Sequence, residues 1–383
     1  MKNIPLIDSY ESFFNFNEDM KCNIGIGGCV NVENVDNHRN FVIIDSEQYD
    51  LDEFLINFII KQDAYIGYNI DLFEDYDFSR VYARTHPEEF KNRISAYIDN
   101  LVMLGEDEFK VWECNLKIRP DGIMLTSWDD LYRENLIVPY GVTIIRGGIF
   151  QSWHHIKRVE LPSTLKEIGQ YAFAECCNLE EIIMPDSVEI VGVEAFHGCS
   201  KLKHVTFSRN LHTLESRSFM ESGVEEVVLP NNLTCISKQA FSHCEKLKSV
   251  KLPRNLKKIE QSAFQYADIE SIKIPDSVTY IGEYAFYNCD KLKSVRLSNS
   301  LSKILKGSFS STGLETLYVP DSVINIENYA FSDCTKLKKV DISRRAVQHL
   351  GLNSFFGTKL MTNSGKNVRV KSPSSSRYIW EVM

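Results

Sequence analysis

Ten phenylalanines, at positions 150, 173, 196, 219, 241, 264, 286, 309, 331 and 355, follow one another at intervals of 22 to 24 residues. A fixed period within ~20–50 residues leaves few folds open. Each repeat is one supersecondary unit, too small to bury its own apolar side, and only stacked neighbours make a continuous core. Other columns keep step with the phenylalanines. Five residues before each stands Ile145, Ile168, Val191, Leu214, Ile236, Ile259, Ile281, Ile304, Ile326 or Leu350, and eight before stands another Val or Leu. A small residue usually precedes the ring, as in Ala285-Phe286 and Ser308-Phe309, which lets it turn into the stack without a clash.

After each Phe comes a segment such as KLKSVRLS or GVEEVVLP, whose last residues alternate as a half-buried strand does. Proline often follows, at 185, 230, 253, 275 and 320, and ends the strand by removing a donor. The unit therefore reads as strand, turn, second extended piece and tight return. The block IPDSVTYIGEYAFYNCDKLKSV and its nine relatives, over residues 136–360, resemble the BspA-like leucine-rich repeat family. The resemblance implies a curved right-handed solenoid with a parallel sheet on its concave face. It also implies binding to other proteins, and many members of that family are secreted or surface-bound.

A second period overlies the first. Units at Phe196, Phe241, Phe286 and Phe331 lie 45 residues apart, and each carries a Cys three residues after the Phe, then a Lys-Leu-Lys shortly beyond it. Through nine consecutive units one column alternates in sign: Lys157, Glu180, Lys203, Glu225, Lys248, Glu270, Lys293, Glu315, Lys338. Neighbouring strands lie about 4.8 Å apart, so each charge falls between two opposite ones and a one-unit slip is disfavoured. The four cysteines, Cys199, Cys244, Cys289 and Cys334, fall in alternate units. Two strand spacings separate them by about 9–10 Å, too far for a disulfide or a shared zinc ion. They read as small buried hydrophobes. Only Cys176 and Cys199 occupy adjacent units, so only that pair leaves a bridge open. Cys22 and Cys29 lack partners for a metal site, and no cofactor is expected.

The residue between the last two apolar positions of each strand should face solvent on the concave sheet. That column is Glu160, Ile183, Thr206, Val228, Lys251, Lys273, Arg296, Tyr318 and Asp341. Three cations in consecutive units do not stabilise a sheet. One reading is a solvated stripe. The functional reading is a partner-binding patch for an acidic protein, with Ile183, Val228 and Tyr318 as apolar anchors around Lys251, Lys273 and Arg296. Direct nucleic-acid binding is not expected, since no aromatic series interleaves the cations.

Residues 1–130 do not repeat, and they carry a net charge of −15 against +6 for the remainder. FVIIDS reads as a strand and LDEFLINFIIK as an amphipathic helix. THPEEFKNRISAYIDNLVMLG reads as a helix with a capping-box spacing from Thr85 to Glu88, and VWECNLKIRPDGIML as a hairpin turning at 120–122. Asp71, Glu74, Asp75 and Asp77 crowd together without the spacing of a calcium loop and make an acidic surface. No nucleophile constellation or nucleotide-binding fingerprint is present.

The expectation is an α+β N-terminal domain over 1–130 and a β-rich leucine-rich-repeat solenoid of about ten 22–23-residue units over 131–360. A capping strand and tail follow over 361–383, where the apolar end either folds back or serves as a docking peptide. The function expected is non-enzymatic protein binding through the concave face, together with the acidic domain. An alternative is an intracellular, phage-encoded inhibitor or effector whose acidic domain fills the basic groove of a nucleic-acid-handling enzyme. A third is an enzyme with an unrecognised N-terminal site. No stretch approaches the ~20 apolar residues of a membrane span, and no homo-oligomer is indicated. The N-terminus lacks the apolar core of a signal peptide. A cytoplasmic protein is therefore expected, or a surface or secreted one if a leader has been removed.

Overall fold

The computed structural model describes residues 21–24, 28–35, 39–44, 47–50, 108–111, 114–119, 122–128, 134–139, 141–362, 368–374 and 376–382. The chain divides into two compact units, one of Met1–Glu106 with Lys110–Glu113, the other of Asp107–Phe109 with Cys114–Met383. Within the first, strands Lys21–Ile24, Gly28–Val35, Arg39–Ile44 and Glu47–Asp50 form an antiparallel sheet in chain order. The expected FVIIDS strand falls in Arg39–Ile44. The two expected helices and the acidic cluster Asp71, Glu74, Asp75 and Asp77 lie outside the described residues.

The second unit is a parallel β-solenoid with little helix. Each turn contributes a three-residue strand, such as Glu181–Ile183 or Ser271–Lys273, and a two-residue strand, such as Ile190–Val191 or Tyr280–Ile281. Between the two, the apolar residue eight before each of the first nine phenylalanines donates its N–H to the carbonyl three residues earlier, as Val278 does to Pro275 at 3.0 Å. That closes a tight turn and sends the chain to the next face.

At the third corner all ten phenylalanines are buried, and each ring stacks on the next with centroids 5.0–5.6 Å apart and planes within 19°. The backbone around them has a strict alternation. The residues two before and two after every Phe have positive φ, and sixteen of these twenty are not glycine. Such a conformation costs an L residue about 1–2 kcal/mol, so something must offset it. The hydrogen bonds do. N–H groups at −2, 0 and +2 reach forward to the next unit, as Tyr171 to Val193, Phe173 to Ala195 and Glu175 to His197 at 2.6–2.9 Å. Those between them bond back within the unit, as Ala172 to Gly169 and Ala174 to Tyr171. Left-handed residues are what alternate the N–H directions, and in the first nine turns all three forward donors find a carbonyl of the next unit.

Buried thiols fill the same core. Cys176, Cys199, Cys244, Cys289 and Cys334 each donate Sγ–H to the carbonyl of the preceding unit's phenylalanine at 3.1 Å. All are free, Cys176 and Cys199 included. Burial pushes Cys244 and Cys289 up to about 12 and Cys334 up to about 11. No group of three or more potential metal ligands occurs among the described residues.

Both ends of the ring stack are closed by tryptophan. At the start, Trp128 and Trp153 lie 5.9 and 5.2 Å from Phe150. Trp128 ends a hairpin of Cys114–Arg119 and Gly122–Trp128, turning where the sequence predicts it, whose second strand pairs in parallel with Val142–Ile145. The hairpin, placed by the sequence before residue 131, thus continues the solenoid's own sheet. At the far end, the apolar tail folds back rather than standing free as a docking peptide. Arg377–Val382 lies antiparallel on Lys339–Ser343, Val368–Ser374 pairs outside it, and Trp380 meets Phe355 edge-on at 5.6 Å. Ser372, Pro373 and Ser374, in the stretch read as a linker, belong to the outer strand of this hairpin.

Two outcomes follow from this core. Phe241→Ala, in the middle of the stack, is expected to cost about 3–5 kcal/mol, read as a lowered urea midpoint. Because each unit contacts only its neighbours, amide-exchange protection should fall first in the units on either side. The buried thiols bind their protons more tightly when folded, so above the ordinary pKa of 9.0 only the unfolded chain ionises. The thiols' contribution should therefore be flat from pH 7 to 9, and stability should fall as pH rises towards 12, by up to about 1.4 kcal/mol per thiol per pH unit. Urea midpoints from pH 7 to 10.5 check this, and Cys289→Ala should reduce the slope.

Candidate partner-binding face

The three-residue strands present two outward columns, not the one read from the sequence. Their middle residues are buried or nearly so, while the first and third are exposed. The third-residue column is the expected one, and its apolar members stand out: Ile183 is 55% exposed, Val228 62% and Tyr318 53%. The first-residue column begins with Arg158, Glu181, His204 and Glu226 and continues with Ser249, Ser271, Ser294, Thr316 and Lys339. Beside Lys251, Lys273 and Arg296 it therefore places three serines and no carboxylate. The sequence shows this column at a spacing of two from the other, but only the burial pattern declares that both face outward.

The three cations do not have equal freedom. Arg296 is registered opposite Lys273, yet its guanidinium turns away to Asp276 at 2.8 Å and to the Ile274 carbonyl at 3.2 Å. Asp276 also accepts from the Asn299 N–H, and these hydrogen bonds, Arg296's first, hold its carboxyl below the usual range. Lys251 and Lys273 form no ion pair among the described residues. The strand ladder itself is interrupted between them: Glu226–Val228 pairs with Ser249–Lys251, and Ser271–Lys273 with Ser294–Arg296, as separate two-stranded sheets. The units remain joined there by the Glu270 N–H, which donates to the Lys248 carbonyl at 3.2 Å, so the two like charges stand on neighbouring turns.

Tyr318 is held from one side. Arg377 of the C-terminal hairpin lies 4.5 Å from its ring, bonded to Asp341 at 2.7 Å, to Asp321 and to the Val319 carbonyl. At the rim of the same face runs the alternating column. Its N–H groups form an unbroken chain of backbone bonds, each donating to the unit before: Lys157 to Glu134, Glu180 to Lys157 and onward to Lys338, where Val382 closes it. Glu134 extends the alternation by one unit beyond the sequence reading. Side-chain pairs close at its two ends, Lys157–Glu134 at 2.8 Å and Lys338–Glu315 at 3.0 Å.

The model of the BspA-type leucine-rich repeat region matches residues 128–248, 166–289, 214–338 and 257–369. The chain belongs to the BspA-type leucine-rich repeat family. Among solved structures, a leucine-rich repeat protein from Bacteroides ovatus shares 27% identity with this BspA-type chain at a TM-score of 0.60, covering 65% of this chain and 68% of that one. A leucine-rich cell surface protein from Faecalibacterium prausnitzii has 19% identity and a TM-score of 0.42, over 61% and 88% of the two chains. The pneumococcal vaccine antigen PcpA has 21% identity and a TM-score of 0.41, over 66% and 77%. No curated protein matches the chain. BspA-type repeats are generally protein-interaction modules, typically non-enzymatic, and their carriers are often surface proteins. No helix among the described residues is long and apolar enough to cross a membrane.

Proposed function

We propose that this BspA-type solenoid binds a protein partner through the face of its three-residue strands, with an acidic patch of the partner lying on Lys251 and Lys273. The observation that carries this is the pairing of two exposed ammonium groups, without an ion pair among the described residues, with Ser249 and Ser271 rather than carboxylates on the same strands. A fold gains nothing from that arrangement, whereas a carboxylate-bearing partner would relieve the repulsion. Val228 on one side and Tyr318 on the other supply the apolar contact that charge alone does not provide. Arg296, already satisfied by Asp276, contributes its stem and orientation more than a free charge. Ile183 lies two units beyond Val228 and extends the same column.

The test is affinity capture from the native host's lysate with the wild-type chain and with the Lys251→Glu/Lys273→Glu variant, each checked by circular dichroism. A protein retained by the first and lost by the second is then measured by calorimetry. The expected change is at least about tenfold in Kd, since like-charge juxtaposition at an interface costs several kcal/mol, with affinity falling as salt rises. An unchanged Kd in the folded variant removes this face from the function.

A further inference from the structure

A different corner of the solenoid, between the two-residue strands and the phenylalanine turns, carries a second built feature. Among the sixteen non-glycine residues that adopt positive φ at the turns are tyrosine, glutamate, arginine and glutamine, so the fold does not require glycine there. Gly307 is glycine for another reason. A Cβ on it would lie 2.5 Å from Cε1 and 2.6 Å from Cδ1 of Tyr284. The ring of Tyr284 lies down across the next unit, in the space that the missing side chain leaves. Tyr287 braces it edge-on at 5.9 Å and is itself edge-on to Tyr266 at 5.7 Å, while the Lys306 ammonium stands 5.8 Å from the Tyr284 centroid.

Lys306 and Glu283, the chain neighbour of Tyr284, also line a groove of about 400 Å³ with Asn325, Glu327, Asn328, His349, Leu350 and Gly351. It crosses four consecutive units, whose rings step by 5.1–5.6 Å. Two of its side chains are fixed by backbone bonds: Glu327 accepts from the Lys306 N–H at 3.3 Å and Asn328 from the Leu352 N–H at 2.8 Å. Each keeps a second polar group for a ligand.

The lining chooses the ligand. Carboxylates only accept, ammonium only donates, and amides and imidazole do both, so an occupant must donate and accept repeatedly within a small volume. Two carboxylates oppose an anion, and Lys306 opposes a cation. One apolar side chain, Leu350, offers little to the side chains by which a peptide is held. A hydroxyl-rich, uncharged molecule with a flat C–H face meets every condition, its hydroxyls in the groove and its C–H face on the tyrosine. We propose that Tyr284, seated on Gly307, and the adjoining groove bind a neutral oligosaccharide chain lying along the solenoid axis.

Saturation-transfer NMR on the full chain tests this with four probes, the hexamers of β-1,4-glucose, β-1,4-N-acetylglucosamine, β-1,4-mannose and α-1,4-glucose. The expected result is transfer to at least one of them with a Kd of about 1 mM or below, a free energy of about −4 kcal/mol. Tyr284→Ala and Gly307→Ala should each weaken it at least tenfold, while Tyr284→Phe and the Lys251→Glu/Lys273→Glu variant retain it. Should Tyr284→Ala not fold, Asn325→Ala on the groove wall asks the same question. Transfer to none of the four, or transfer unaffected by the folded Tyr284→Ala or Asn325→Ala, overturns the proposal. So does displacement of the bound hexamer that tracks Lys251 and Lys273 instead.

Discussion

Three forward hydrogen bonds at every phenylalanine turn but the last are the constraint on which the remaining structure rests. They require the units to lie within backbone bonding distance of one another, and that spacing is the distance at which one buried ring stacks on the next. They also require two left-handed residues in every unit. A single unit could not sustain that strain, because its forward donors would have no acceptors. The stack makes the strained turn affordable, and the turn makes the stack regular. The ends, where partners run out, are accordingly the places where the chain departs from the repeat and supplies hairpins and tryptophans.

Much of this architecture is legible in the amino-acid order because the repeat is its own comparison: ten copies expose which positions must be apolar, small or extended. The phenylalanine, isoleucine and cysteine columns are read correctly for that reason. Features that join different columns are harder. Asp276 and Arg296 stand 20 residues apart and meet only because a turn of the solenoid brings the loop of one unit beside the strand of the next. Gly307 looks like a turn glycine until the ring of Tyr284 is seen lying over it. The serine column beside the lysines is present in the sequence, but nothing in a period of two tells which flank of a three-residue strand is outward when both are. The terminal hairpins are legible only in part: the first is read as a hairpin and the last as a capping strand, but their pairing with the solenoid's sheets is not. They occur once each, and no second copy marks their register.

The two candidate surfaces use the repeat differently. On the three-residue strands, the proposed surface rests on lysines that form no ion pair among the described residues and on exposed apolar groups of the same column. On the phenylalanine corner, chemistry is obtained by deletion: one side chain is absent and a ring occupies its place. Neither needs a change in the buried columns. A solenoid can therefore acquire or lose a surface without touching its core, one outward residue at a time.

The alternating lysine–glutamate column has a consequence for how such a chain can change length. Removing one unit from the middle would bring two lysines or two glutamates onto neighbouring turns, and would also join two long or two short units. Removing two would leave sign, length and cysteine spacing all in phase. The unit that can be removed from the middle of the array without disturbing its charge column is thus the 45-residue pair, not the single turn.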